Sequence, residues 1–291
     1  MNKNEWISLF RDFASKSLKV YKTYELGKDD LTNLMNRDIK KFAEKQISGI
    51  ENKENTKLFL NEVLTITYAS YVVMLETRNQ IWPYDFMSFS RRIGELWEPL
   101  CKLAFEYPLI PLKLVDPPEF HDFQSSAESQ MTEFVESLKI EKKQKDKLKE
   151  MYHIPWRLVD SGSIKLSLDL HFKQNGIRYN CDFKSGFSSN EKGNTNRLLL
   201  VASVYKLMKS NEKALLFVRQ KESQNNNYFQ TLKKSGLWEV YCANDCYKKL
   251  KEFSGADLRA WLDKNALWED DITSAFYSHL KRNDLLKYLT W

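Results

Sequence analysis

The sequence predicts a mixed α/β (α+β) protein, in which an α-helical domain precedes a mixed β-sheet flanked by helices. Three observations predict this class. Apolar residues recur at helical spacing in the first third of the chain, five of the seven prolines fall between Pro99 and Pro118, and apolar and polar residues alternate after Ile164. The composition therefore changes along the chain from helical to sheet-forming.

The change divides the 291 residues into three predicted parts. Residues 1–110 form an α-helical domain, residues 111–152 a proline-rich linker with a connecting helix, and residues 153–291 a sheet-bearing domain. In the first part, the apolar run over 58–76 lacks turn residues, and the turn chemistry at 27–30 separates two helices. This part is predicted to resemble a helical bundle.

A connecting helix is predicted from Ser125 to Met151. Ser125 and Glu128 have the spacing of a capping box, which typically opens a helix. The second half of this helix is rich in lysine, a pattern typical of a solvated face. The alternative is a surface that contacts phosphates.

A β-hairpin is predicted on either side of Asn175-Gly176. Residues 164–172 alternate apolar and polar, which indicates a half-buried strand, and residues 177–184 alternate in the same way. Asn-Gly is the favoured two-residue hairpin turn. A helix over 196–209 and strands over 214–218 and 238–242 complete a mixed sheet.

The hairpin turn determines which side chains face one another. With Asn175 and Gly176 as the two turn residues, Asp169 lies opposite Asp182, and Lys184 lies on the same face. Directly opposed like charges are destabilising, whereas a divalent cation between them reverses the sign of the interaction. Hard carboxylate oxygens suit Mg²⁺. The alternative is a solvated polar face whose acids pair with neighbouring basic side chains.

The order of Asp169, a hairpin, Asp182-Phe183-Lys184, a helix and a further strand resembles the PD-(D/E)xK nuclease superfamily, and within it the type II restriction endonucleases. The resemblance covers residues 153–291 and implies a PD-(D/E)xK nuclease core. Leu168 stands where the name-giving motif has proline. The N-terminal helices have no recognised counterpart, and we expect them to serve DNA clamping, recognition or dimerisation.

The resemblance implies that Asp169 and Asp182 bind the catalytic Mg²⁺ and that Lys184 assists the attacking water. The expected activity is sequence-specific cleavage of double-stranded DNA in a restriction-modification system, leaving 5′-phosphate and 3′-hydroxyl ends. A homodimer and a cognate DNA methyltransferase are the expected partners. The alternatives are a structure-directed nuclease of repair or recombination, and a non-catalytic DNA-binding protein with a degenerate nuclease fold.

Further side chains are candidates for the site. Asp160 is the rival for the first acid, and Glu128 is the candidate for an additional acid from a preceding helix. Helix capping is the competing role for Glu128 and for the two asparagines among the DNA-contact candidates. The candidates for DNA contact are Arg157, Lys165, Lys173, Arg178, Lys192, Asn194, Asn196 and Arg197.

Composition narrows the function classes. The net charge of +6 suits an anionic partner without requiring one. Four scattered cysteines indicate reduced thiols, and the N-terminal residues do not have the layout of a signal peptide, so a cytoplasmic location is expected. The sequence contains neither a phosphate-binding loop of the G-x-x-x-x-G-K-[ST] type nor a cluster of its four histidines. We therefore expect neither a nucleotide cofactor nor insertion in a membrane.

Overall fold

The computed structural model describes residues 1–50, 54–159, 166–187, 192–208 and 211–291, and for residues 155–159 it describes the backbone alone. The described residues form twelve α-helices and five β-strands. The helices are α1 (Lys3–Tyr21), α2 (Lys28–Ser48), α3 (Thr56–Ile81), α4 (Phe86–Glu106), α5 (Phe120–Ser137), α6 (Lys142–Val159), α7 (Lys192–Leu207), α8 (Asn227–Lys234), α9 (Asn244–Ser254), α10 (Leu258–Asn265), α11 (Trp268–Asp271) and α12 (Ser274–Arg282). The strands are β1 (Lys113–Leu114), β2 (Leu170–Gln174), β3 (Ile177–Lys184), β4 (Glu212–Val218) and β5 (Glu239–Cys242).

The N-terminal part is helical, as the sequence predicts. Asn2 and Glu5 form a capping box that starts α1, and Asp85 caps α4 by accepting a hydrogen bond from the Ser88 N–H. Helices α1 and α2 both pack against α3. They also contact each other, since Phe13 of α1 stacks on Phe42 of α2 with ring centroids 4.3 Å apart. Together α1–α4 form one packed helical layer.

Helix α3 is the one helix, among the described residues, that is long and apolar enough to cross a membrane. Within its most apolar stretch, 72% of the residues are buried inside the molecule. Such burial is typical of the core helix of a soluble protein. The helix therefore contributes to the core, and its hydropathy is consistent with a soluble chain.

The sheet is mixed, with its five strands in the order β1-β2-β3-β4-β5. Strands β1, β2 and β3 pair antiparallel, whereas β4 runs parallel to β3 and to β5. The hairpin turn between β2 and β3 has Asn175 at φ 52° and Gly176 at φ 75°, the left-handed backbone that Asn-Gly favours. Leu170 pairs with Cys181, which is the register that the sequence predicts.

Helices cover both faces of the sheet. On one face, Phe183 contacts Trp97 of α4 and Phe172 contacts Phe253 of α9, with ring centroids 5.8 and 5.1 Å apart. On the other face, α7 and α8 cover apolar side chains of β4, among them Leu216. This second face also carries the polar side chains of β3, so the expectation of a half-buried hairpin is wrong: both of its faces lie under helices.

Three elements differ from the sequence predictions. The strand predicted from residue 164 begins only at Leu170, because the chain bends before it and the Leu168 N–H donates to the His171 side chain instead of to a strand. Helix α7 begins at Lys192 rather than at residue 196. The short strand β1, within the proline-rich stretch, is absent from the predicted strands.

The predicted capping box at Ser125 and Glu128 is also wrong. Helix α5 begins earlier, with Glu119 as its N-cap, so both residues lie inside the helix. The earlier start places Phe123 inside the helix, and its side chain is buried with residues of α7 in a small apolar cluster. Burial of this apolar side chain favours the earlier start. The single helix predicted to reach Met151 is two helices, α5 and α6.

The helical layer and the sheet share one apolar core. A continuous cluster of buried side chains runs from Trp6 in α1 through α3 and α4 to the sheet and on to Leu289. A polar network also joins the two ends of the chain: Arg11 donates to Glu76, and Tyr68 donates to Asp271 at 2.8 Å. The domain boundaries near residues 110 and 152 stay predictions, and the core extends across both.

Candidate functional site

The acidic motif lies at the end of β3. Asp182 and Lys184 point to the face of the sheet that α7 covers, since side chains alternate along a strand and Phe183 points to the opposite face. The Asp182 side chain has no exposed surface, and the Lys184 side chain is 20% exposed. The end of β3 therefore places a fully buried carboxylate beside a lysine that still reaches solvent.

Asp169 approaches this strand end from the bend that precedes β2. Its Oδ2 accepts a hydrogen bond from the Phe183 N–H at 2.7 Å, so the side chain reaches across to the backbone beyond the last pair of the hairpin. The charge of Asp169 raises the pKa of the Asp182 carboxyl. Asp169 thus lies at the same strand end as Asp182, but in a bend rather than in the strand pair that the predicted register requires.

Two cations surround the Asp182 carboxylate. Lys184 Nζ forms an ion pair with Oδ1, and an Arg197 guanidinium nitrogen lies 3.5 Å from Oδ2. Arg197 comes from the second turn of α7, and its side chain is 43% exposed. Lys184 therefore acts on the buried Asp182 carboxylate both through its charge and as a hydrogen-bond donor, and Arg197 acts through its charge.

Burial raises the pKa of the Asp182 carboxyl above its ordinary value, since the ionised form loses its hydration. Lys184 opposes this rise, the charge of Asp169 adds to it, and Arg197 also opposes it. The charge of Asp182 therefore depends on these three neighbours as well as on burial. A further positive charge at the site would favour its ionised form.

The side chains present fit a hard divalent cation. Asp169 and Asp182 lie at the same end of the hairpin, where the charge of Asp169 raises the pKa of the Asp182 carboxyl, and carboxylate oxygens are the ligands that Mg²⁺ prefers. In the described part of the chain, no group of three or more His, Cys, Asp or Glu side chains has a metal-binding arrangement. Any such site therefore rests on two carboxylates, with its other ligands coming from the backbone, water or a bound substrate.

A buried polar chain extends away from the acids on the same face, and its burial is a feature that sequence reasoning missed. His171 on β2 faces Asn180 on β3, with exposures of 6% and 0%. Asn180 in turn donates to Glu212 of β4 at 2.6 Å. The alternation of the strands places His171 and Asn180 on the polar face, but alternation does not predict that both side chains are buried.

Glu128, the candidate additional acid from a preceding helix, does not join the acidic cluster. Glu128 on α5 is exposed and lies 3.6 Å from the His153 imidazole of α6, a contact that gives it a partner outside the site. Asp160, the rival first acid, lies outside the described residues. Lys165 does as well, and the side chain of Arg157 is not among those described.

The candidates for DNA contact are spread over the two ends of the hairpin. Lys173 and Arg178 are cross-strand neighbours near the turn, at the end of the hairpin far from Asp182. The Arg178 guanidinium lies 3.8 Å from the Glu212 carboxylate. Asn194 and Asn196 lie inside α7, which begins at Lys192, so neither is its N-cap. Among the candidates whose side chains the structure describes, Arg197 is the one that contacts the acidic cluster.

Comparison with known proteins gives no family for the chain. No family model, curated protein or solved structure matches it. The resemblance to the PD-(D/E)xK nucleases thus rests on residues of the chain itself, and the assignment of function rests on the geometry at the end of β3.

Proposed function

We propose that the protein is a Mg²⁺-dependent endonuclease that hydrolyses phosphodiesters of double-stranded DNA, with a PD-(D/E)xK-like core and its active site at the end of β3. The observation that carries the proposal is that Asp169 and a fully buried Asp182 lie at one end of the hairpin, with Lys184 paired to the Asp182 carboxylate. A purely structural hairpin gains nothing from two facing carboxylates, because like charges at that position destabilise it.

Asp169 and Asp182 would hold the cation. Bound Mg²⁺ supplies the acidification of a water molecule and the neutralisation of charge that develops on the phosphate. Lys184 is the candidate for orienting the nucleophile, since its ammonium group is partly exposed and already lies against the Asp182 carboxylate. Arg197, held near the same carboxylate and exposed to solvent, is suited to contact a phosphate oxygen of the DNA.

The biological setting that we propose is a cytoplasmic restriction-modification system with a cognate DNA methyltransferase. Cutting both strands of a symmetric site requires two active sites, so we propose that the chain acts as a homodimer. The helical layer α1–α4 packs against β3 through α4, so it can carry DNA clamping, base recognition or dimer contacts next to the active site. The net charge of +6 is compatible with binding DNA.

The direct test is cleavage of long duplex DNA with Mg²⁺ by purified wild type, Asp182→Asn and Lys184→Ala. Discrete fragments are expected from the wild type, and a loss of at least about a hundredfold from either variant, because each removes a group placed at the reacting phosphate. Binding of the same DNA in Ca²⁺ should change by less than about threefold for Lys184→Ala, since one charge supplies only a small part of the contact with the phosphate backbone.

Lys213→Ala is the matched control for Lys184→Ala. Lys213 also lies on a central strand and also pairs with a carboxylate, Glu239, at 2.8 Å, but it lies at the opposite end of the sheet. Wild-type cleavage is expected from it. Full cleavage by a folded Asp182→Asn protein would overturn the proposed active site. Cutting at branched junctions alone, with intact linear duplex, would replace restriction with a repair or recombination activity.

A further inference from the structure

We propose that His171 is a positioning residue for Asp169, holding the bend that presents this carboxylate to the metal site. The inference deepens the proposed function and rests on it for the identity of the ligand. His171 contacts neither acid directly in the described hydrogen-bond network. It acts through the backbone of Leu168, the residue that immediately precedes Asp169.

The hydrogen bonds of His171 determine the protonation of its ring. The Leu168 N–H donates to Nε2 at 2.9 Å, so Nε2 is the acceptor and the ring proton is on Nδ1. Nδ1 then donates to the Asn180 Oδ1 at 2.7 Å. A neutral imidazole with one defined tautomer therefore links the two strands of the hairpin.

The orientation of Asn180 is fixed from the other side. Its Nδ2 donates to Glu212 Oε2 at 2.6 Å, so its amide must present Oδ1 toward His171. The Glu212 carboxylate is itself 2% exposed and lies 3.8 Å from Arg178. Each member of the chain from β4 to β2 thus has only one arrangement that satisfies its neighbour.

This chain of hydrogen bonds ends where the metal site begins. The bend at Leu168 and Asp169 has lost strand pairing, since β2 starts only at Leu170. Described hydrogen bonds hold this segment at several points: Tyr205 donates to the Leu166 carbonyl, Arg197 to the Ser167 carbonyl, the Leu168 N–H to His171, and the Phe183 N–H to the Asp169 carboxylate. The bond to His171 holds the backbone directly before Asp169, so its loss would loosen the residue from which the Asp169 side chain extends.

If His171 only filled space, two substitutions that each keep a polar atom near one of its ring nitrogens would have equal effects on the site. His171→Gln keeps an oxygen near the position of Nε2 and so keeps an acceptor for Leu168, whereas His171→Asn keeps an amide near Nδ1 and lacks that acceptor. The two amides are closely matched in polarity. A positioning role predicts that glutamine rescues the site and asparagine does not.

The experiment titrates Mg²⁺ alone into the full chain by calorimetry. Groups that orient a metal ligand typically contribute about 10- to 100-fold to metal affinity. We therefore expect affinity at least about tenfold weaker for His171→Asn, with His171→Gln within about threefold of the wild type. Equal losses in both variants, or no loss in either, would overturn the proposal.

A second readout does not depend on the metal. Hydrogen exchange of the Leu168 amide, measured by mass spectrometry without Mg²⁺, should be faster in His171→Asn and unchanged in His171→Gln. If the wild type fails to bind Mg²⁺, the proposed function is wrong, while exchange at Leu168 still decides whether His171 holds the bend. Unchanged exchange in a folded His171→Asn protein contradicts that role.

Asn180→Ala provides a second route should His171→Asn fail to fold. It leaves His171 in place but removes the acceptor that fixes the proton on Nδ1. Faster exchange at Leu168 and weaker Mg²⁺ binding are expected, because the alternative tautomer carries a proton on Nε2 and cannot accept from Leu168. Wild-type exchange and affinity in this variant would count against the proposal.

Discussion

Asp182 combines complete burial with two neighbouring cations, Lys184 and Arg197. A carboxylate in this setting carries its charge at a cost, since hydration is lost and only ion pairs replace it. The cost is visible as a raised pKa. Binding of either a proton or a metal ion would therefore be favourable at this carboxylate.

The raised pKa makes the stability of the metal-free protein depend on pH. Because the folded pKa of Asp182 lies above its ordinary value of 3.8, the protein loses stability as the pH rises from that value through the folded pKa. A tenfold difference in acidity between the folded and unfolded states corresponds to about 1.4 kcal/mol. The Asp182→Asn side chain cannot ionise, so this variant lacks that loss. Its free energy of unfolding should therefore rise relative to that of the wild type as the pH increases over this range.

This difference is measured by urea unfolding in the presence of a chelator. The pH runs from about 4 to about 7, a range that spans the carboxyl titration. Asp245→Asn on α9 is the control, because its side chain is 71% exposed and has no burial to lose. Saturating Mg²⁺ should abolish the gain of Asp182→Asn by stabilising the ionised wild type. A difference between Asp182→Asn and wild type that is independent of pH would show that burial does not control this carboxyl.

At the scale of elements, the approach of α4 to β3 depends on a glycine. A Cβ at Gly94 would lie 2.6 Å from the Cβ of Ser185, the residue directly after Lys184. Ser185 cannot easily yield, since its Oγ accepts two hydrogen bonds from the Arg219 guanidinium, at 2.7 and 3.0 Å. The backbone of α4 at Gly94 therefore packs directly against the Ser185 side chain, next to the candidate site.

Gly94→Ala should destabilise the protein by about 1 to 3 kcal/mol, the usual cost of overpacking. This sign is opposite to that in an exposed helix, where the same change typically stabilises by up to about 1 kcal/mol. Because Ser185 follows Lys184, cleavage activity should fall as well. Thermal unfolding and DNA cleavage measure the two effects.

Gly193→Ala in α7 is the matched helical control, since no atom lies within 4 Å of the added Cβ. It is expected to raise stability slightly or leave it unchanged. A stabilising Gly94→Ala with wild-type cleavage would show that the contact between α4 and Ser185 is looser than the structure indicates.

Local chemistry makes some elements predictable and leaves others out of reach. The Asn175-Gly176 turn determines the register of the hairpin as far as the pair of Leu170 with Cys181, because turn geometry and strand alternation are short-range properties. The start of β2 at Leu170 is not predictable in this way, because it depends on a side chain, His171, that accepts from the backbone. No rule of alternation contains such a bond.

The same limit applies to the site. Arg197 is one of eight basic and amide candidates, and only the packing of α7 on the sheet selects it as the partner of Asp182. Strand alternation likewise does not predict that Asn180 is fully buried. Contacts between elements distant in sequence thus decide which of many polar residues lie beside the acids.

At the scale of the whole molecule, a buried ion pair joins the N-terminal helices to the C-terminal segment. Glu76 of α3 accepts two hydrogen bonds from Arg11 of α1, at 2.7 and 2.9 Å, and a third from the Thr273 N–H at 2.6 Å. Its side chain is 7% exposed. Three elements from both ends of the chain therefore meet at one carboxylate, within a continuous core.

Glu76→Ala should lower the free energy of unfolding by about 2 to 4 kcal/mol, since it leaves a partly buried guanidinium and a backbone donor without their partner. Because the core is continuous, denaturant unfolding should remain a single transition, with tryptophan fluorescence and far-UV circular dichroism shifting together. Glu95→Ala is the control: its pair with Arg91 is exposed, and a change within about 1 kcal/mol is expected. Two separate transitions, of which only one moves, would indicate independently folding halves.

The two-residue turn at Asn175-Gly176 also restricts how this chain can vary over evolutionary time. Loops on protein surfaces usually accept insertions and deletions, and this turn is exposed. Here the left-handed backbone sets the register, so one added or lost residue that shifts the pairing would rotate one strand by half a repeat. Asp182 would then exchange faces with Phe183. Descendants of this chain can therefore replace exposed hairpin residues freely, whereas a change in the length of the turn removes the facing acids in one step.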